Sequence, residues 1–226
     1  VTGLTDQAGG PSNPQEEVIR QARRAWEESM LRQLDTLRDL LQARQPEHVA
    51  HRCGGEYKKG VVRFKYWGQS VTVSWPDLLA HHEDQDQPCS TFDTAMLFYY
   101  LSTADGTPMA DRWVAFRELE DGAFYHQAFQ GYSGDLLAKT FGEDPDAFDR
   151  AAETLEGTTL PAFASHTFAF KALPRVRLAA VLWPGDEEFP SRASILFDGA
   201  SRHYMTIDGL ALLGAGLARR LLRAAK

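Results

Sequence analysis

Cysteine is nearly missing from this chain: Cys53 and Cys89 are the only two among 226 residues. Two thiols are too few for the disulfide framework of a small secreted domain and fit a reducing cytoplasm. Basic charge is short as well. Its 24 Lys and Arg stand against 31 Asp and Glu, giving a net charge of −7 and a pI near 5.5. That balance argues against a nucleic-acid or anionic-membrane partner, both of which require a dense basic face. No apolar run approaches the ~20 residues of a membrane span. No charged-then-apolar leader is read at the start, which opens on Val1 rather than Met. GxGxxG, Walker, GxSxG and CxxC patterns are all missing, so nucleotide-binding and nucleophile-elbow readings lose their main support.

What is present is ordinary globular material, 43% apolar and 11% aromatic, long enough for one full hydrophobic core with an appended element. Residues 1–12 are small, Gly-rich and aperiodic, and read as a mobile tail. Asn13-Pro14-Gln15-Glu16 has the form of a helix start, with Asn as cap, Pro at the first helical position and Glu three residues after the cap. From there to Gln45 no Gly or Pro intervenes, and Ile19, Trp26, Met30, Leu34, Leu37 and Leu41 recur at helical steps. The spacing predicts one long amphipathic helix over 13–45, or two with a subtle break. Its leucine-rich end must be covered, and a homodimer is the expectation.

A single domain is expected over 50–226. Val61–Tyr66 and Gln69–Trp75 alternate as a hairpin turned at Trp67-Gly68, and His81–Pro88 reads as polar loop. Helices are expected after Ser90/Thr91, over Leu136–Phe141, after Asp144-Pro145 and after Thr206. Strands are expected at Trp113–Phe116, Thr167–Phe170, Val176–Trp183 and Ser194–Phe197. The order is not a regular strand–helix alternation. The expected class is therefore α+β, with an antiparallel sheet of about five strands and helices mainly on one face.

The most distinctive stretch is Trp183-Pro184-Gly185-Asp186-Glu187-Glu188-Phe189-Pro190, three carboxylates held between two prolines on a turn between apolar runs. Asp198 and Arg202-His203-Tyr204 follow closely. Asp186, Glu187, Glu188 and His203 are the residue types of a divalent-metal site, and Asp186, Glu188, His203 and Tyr204 those of an acid/base site. The alternative is a solvated turn with His203 paired to a neighbouring carboxylate. His81-His82-Glu83-Asp84-Gln85-Asp86 holds many potential ligands, but its consecutive side chains diverge, and a solvated loop is the better reading. Cys53-Gly54-Gly55 reads as a turn with a structural cysteine rather than a reactive thiol. The run Phe124–Tyr132, with Phe98-Tyr99-Tyr100, is core by composition. As a pocket wall it would offer Tyr125 and His126 to a flat ligand, with His126 as an axial ligand for a tetrapyrrole or corrinoid metal.

Arg112–Leu119, Leu173-Pro174-Arg175-Val176, and Trp183–Pro190 with Ile195-Leu196-Phe197-Asp198 together resemble the bacterial and archaeal family catalogued as domain of unknown function 3786. The similarity runs from about Cys53 to Leu222. The resemblance implies no activity. It implies a neighbourhood of iron–sulfur modules of the kind seen in corrinoid proteins, and hence an iron–sulfur or corrinoid protein partner. This chain has no cysteine cluster of its own with which to hold such a centre.

Three functions follow as expectations. The first is a ligand- or cofactor-binding accessory protein whose aromatic pocket, roofed by the Trp183–Pro190 loop, uses Tyr125, His126, Trp183 and His203. The second is an enzyme using the Asp186/Glu187/Glu188 and His203/Tyr204 cluster, and the third an interaction module docking through its acidic loop. The abundance of aromatics without a nucleophile or phosphate cradle favours the first.

Overall fold

A computed structural model describes residues 20–226 except 22, 23, 26, 27, 30, 31 and 162. The expected tail at 1–12 and the helix start at Asn13 lie outside the described residues. Residues 20, 21, 24, 25, 28, 29 and 32 are helical, Gln33 forms a turn, and helix α1 (Leu34–Gln42) follows. The subtle break thus falls at Gln33. Helix α2 (Pro46–Cys53) starts with its proline at the first position and ends on Gly54 in the left-handed region, φ 70°. Leu37 and Leu41 are buried by this chain itself: α1 packs on α3 (Thr91–Thr103), where Arg38 lies 5.5 Å from the Phe98 ring centre. The demand for cover that motivated a dimer is met within one chain.

The α+β reading holds, with two antiparallel sheets of five strands each. The first is a meander of β1 (Glu56–Lys58), β2 (Val61–Tyr66), β3 (Gln69–Ser74), β4 (Ala80–His82) and β5 (Gln87–Pro88). The β2–β3 hairpin has the expected register, Val62 opposite Val73 and Phe64 opposite Val71. Its turn takes Trp67 and Gly68 to φ 49° and 80°, the left-handed geometry that matches strand twist. The stretch His81–Pro88, expected as loop, instead contributes β4 and β5. Strands of three and two residues are too short to show alternation, and pairing decides them, β4 with β3 and β5 with β4.

The second sheet runs β6 (Trp113–Ala115), β10 (Arg192–Asp198), β9 (Val176–Trp183), β8 (His166–Leu173) and β7 (Thr158–Thr159). On β9, Val176, Leu178, Ala180 and Leu182 enter the main core, while Ala179 and Val181 face the other way beside Leu196, Trp113 and Trp183. Both faces being covered, the strand is apolar throughout from Leu178 to Trp183. Over the main face lie α4 (Gly122–Tyr132), α5 (Gly134–Phe141), α6 (Pro145–Thr154) and α7 (Ile207–Ala224). Asp144 caps α6 by accepting from the Ala147 N–H at 2.9 Å, and Thr206 caps α7 by accepting from the Gly209 N–H at 3.3 Å. On α7, Ile207, Leu210, Leu213, Leu217 and Leu221 are buried, and so are Ala211, Leu212, Ala215 and Ala218. From Gly209 to Ala218 the helix is apolar and buried all round, a core helix, and only beyond it do Arg219 and Arg220 come partly out. The two sheets meet at the β2–β3 turn, where the Trp67 N–H donates to the Ala172 carbonyl at 2.8 Å.

Candidate functional site

The Trp183–Pro190 loop joins β9 to β10 and closes on itself. Asp186 Oδ1 accepts from the N–H groups of Phe189 (2.7 Å) and Glu188 (2.9 Å), and the Asp186 N–H donates to the Phe189 carbonyl. Those two donors hold the Asp186 carboxyl below its ordinary value. These bonds close the turn, yet Asp186, Glu187 and Glu188 all face solvent. His203 and Tyr204 stand beyond the far end of β10, about 20 Å away at ~3.3 Å per residue.

At that far end, His203 Nδ1 is 2.7 Å from Asp105 Oδ2 and 3.2 Å from Thr107 Oγ1, and the buried Tyr204 donates its hydroxyl to the Thr107 carbonyl. Asp105 is pushed up by partial burial, but the Thr107 N–H and His203 overrule this and hold it at about 2. The expected carboxylate–histidine cluster is therefore not assembled, because β10 separates its two halves. Among the described residues no three His, Cys, Asp or Glu side chains gather to hold a metal.

Asp198 is a brace. It is 1% exposed and accepts from the N–H groups of Ala110, Ala200 and Asp111 at 2.9, 2.9 and 3.1 Å, and from Arg177 at 2.8 Å. Burial raises its carboxyl, but the Ala200 N–H, Arg177 and the Ala110 N–H together leave it below the ordinary range. Cys53 is also structural. Its thiol donates to the Ala50 carbonyl, and burial pushes it up to about 12.

His126 and Trp183, by contrast, come together. They line a cleft of about 390 Å³ between α4, the start of α5 and the β9–β10 hairpin, with Arg117, Gln130, Asp135 and Arg192. Helix α4 divides its aromatic run. Phe129 and Tyr132 enter the core, Phe129 stacking on Phe116 at 4.2 Å, whereas Phe124 and Tyr125 are 90% and 42% exposed. His126 lies one turn before Phe129 and lines the cleft, while its Nδ1 is buried without a hydrogen-bond partner among the described residues. Gln130 Nε2 bridges Asp135 Oδ1 (2.9 Å) and the Ala193 carbonyl (3.0 Å), tying α4 to β10. Opposite, Arg192 pairs with Trp183 across the hairpin and lies 5.8 Å from its ring centre. Neither Arg117 nor Arg192 pairs with a carboxylate among the described residues. These two arginines and Gln130 escaped the sequence reading. The available signal was the hairpin itself, since a short connection after Trp183 brings the first residue of the next strand beside it.

Fold and cleft define an α+β protein of two antiparallel sheets about a buried helix, with a polar cleft beside one hairpin end. Within that class the chain belongs to the family described as Domain of unknown function (DUF3786), whose model matches residues 45–220. No curated protein and no solved structure matched the chain.

Proposed function

We propose that this protein binds a small, flat, anionic ligand in the cleft of His126 and Trp183, and acts by binding rather than by catalysis. The observation that carries the reading is the convergence of His126, Trp183, Arg117 and Arg192 on one cleft, with neither arginine paired to a carboxylate among the described residues. Trp183 supplies a stacking wall, and Arg117 and Arg192 two cations for a carboxylate or phosphate.

A tetrapyrrole or corrinoid fits these residues poorly. The lining is charged and polar, and 390 Å³ is near the lower end of ligand-site volumes, about 300–1,000 Å³. An iron–sulfur centre fits no better, with Cys53 buried and bonded to its own helix. The enzyme reading has lost its cluster.

Calorimetric titration with benzoate and phenyl phosphate tests the proposal. Binding of either should weaken at least tenfold, about 1.4 kcal/mol, in His126→Ala and in Arg192→Gln. A Soret or corrin band that shifts on adding haem or cobalamin, and is lost in His126→Ala, would refute the small-anion reading.

A further inference from the structure

A second cleft, of about 500 Å³, opens between the β2–β3 turn, the β4–β5 hairpin, the first turn of α3 and the C-terminal half of α7. Its chemistry comes from Tyr66, Trp67, His82, Asp93 and Arg220. None of these was nominated from the sequence as a site residue, apart from His82 in a run set aside as loop.

Arg220 lies on the Trp67 ring, 4.3 Å from its centre, in the geometry of a cation–π contact. Among the described residues its guanidinium makes one hydrogen bond, a long one of 3.4 Å from Nη1 to the Gly216 carbonyl of its own helix. Burial lowers its pKa, while the charge of Asp93 and the Tyr66 phenol work the other way. Asp93, in the first turn of α3, accepts from Ser90 Oγ at 2.8 Å, and its nearest cationic candidate is His82 Nε2 at 4.0 Å. Arg220 and Asp93 therefore feel each other electrostatically and line the same cleft without forming an ion pair. A partly desolvated cation and anion held apart is an expensive arrangement for folding alone. His82 adds a second cost. It is 9% exposed, and its Nδ1 is buried without a hydrogen-bond partner among the described residues.

The frame is rigid. Trp67 is fixed by the positive-φ turn and by its N–H bond to Ala172, Tyr66 is 5% exposed, and Asp93 follows the Ser90 cap, whose Oγ accepts from the Asp93 N–H at 3.0 Å. A ligand meeting this frame needs a negative group for the Arg220 fork, a positive group for Asp93, and a body able to lie along aromatic walls. We propose that this cleft is a second binding site, for a small zwitterion bearing one carboxylate and one ammonium group, the chemistry of a free amino acid. The carboxylate bonds Arg220, the ammonium donates to Asp93, and the carbon skeleton packs beside Trp67 and Tyr66.

Isothermal titration calorimetry on the full chain tests this. The probes are α- and ω-amino acids of graded chain length, each matched with the carboxylic acid lacking the amine and the amine lacking the carboxylate. At least one amino acid should bind, and each of its singly charged analogues should bind at least tenfold more weakly. In Arg220→Gln the amine analogue should bind as tightly as the amino acid. In Asp93→Asn the acid analogue should do so. Glu143→Gln, which removes one exposed charge on the α5–α6 turn, should change none of these. Singly charged analogues that match the amino acid on the unmodified protein would overturn the proposal, as would no binding of any amino acid up to ~10 mM. Because that comparison uses the unmodified chain, it decides the matter even if a variant fails to fold.

Discussion

Replacing Asp198 by Asn removes one charge and one acceptor from the most heavily bonded carboxylate described here. The oxygen facing the Ala110 and Ala200 N–H groups can remain an oxygen, so those two bonds survive. The other becomes an NH2 facing the Asp111 N–H and Arg177 Nη2, donor against donor. Both lost bonds, from the Asp111 N–H and from Arg177, end on an ionised carboxylate and are charge-assisted, ~1.5–3 kcal/mol each. Arg177 keeps its second partner, Asp111, at 2.5 Å, which places the expected loss at the lower end, ~3 kcal/mol. For a chain of this length that corresponds to ~5–10 °C in Tm. Urea unfolding at neutral pH measures it. Because the folded carboxyl lies below its ordinary value, its contribution is complete above 3.8 and fades as pH falls through the folded pKa. The difference between Asp198→Asn and the unmodified protein should shrink in the same range. A loss under ~0.5 kcal/mol, the scatter of ordinary surface changes, would refute the brace.

Two further outcomes follow from packing. Gly214→Ala on α7 places a Cβ 2.6 Å from the Phe129 ring, so the overpacking cost of ~1–3 kcal/mol should outweigh the helix-propensity gain of ~1 kcal/mol and lower the urea midpoint. Cys53, buried and pushed up to about 12, should resist iodoacetamide in the native protein and react only on unfolding, while the half-buried Cys89, raised to about 11, should react slowly but sooner. Rapid native labelling of Cys53 would contradict its burial.

The fold was legible wherever one side-chain period ran long enough. The β2–β3 hairpin, the strand Val176–Trp183 and the caps Ser90, Asp144 and Thr206 all stand where alternation and capping chemistry put them. Strands β4 and β5 were hidden because pairing, of β4 with β3 and of β5 with β4, makes them rather than composition. The site was legible in part. Trp183 drew attention through its unusual loop, and His126 through its aromatic neighbours. The carboxylates beside Trp183 misled, because nearness in sequence around a hairpin says nothing about which strand end a residue occupies. Arg220 carries no signal in the sequence that marks it as a cleft residue. That Trp67, far earlier in the chain, lies against it depends on how the two sheets meet.

The burial of α7 on all sides from Gly209 to Ala218 also bears on how the chain is made. Every strand leaves the ribosome before this helix does, at ~5–20 residues per second. Until it arrives, the inward side of the second sheet, with Leu178, Ala180, Leu182 and Phe197, lacks the helix that contacts it in the finished protein. The nascent protein therefore carries an open apolar surface from the emergence of β9 and β10 until α7 follows them, and over that interval is exposed to chaperones and to its own neighbours on the polysome. Cutting the chain before Ile207 would remove the centre of the molecule, and the sheet left behind would aggregate instead of surviving as a smaller domain.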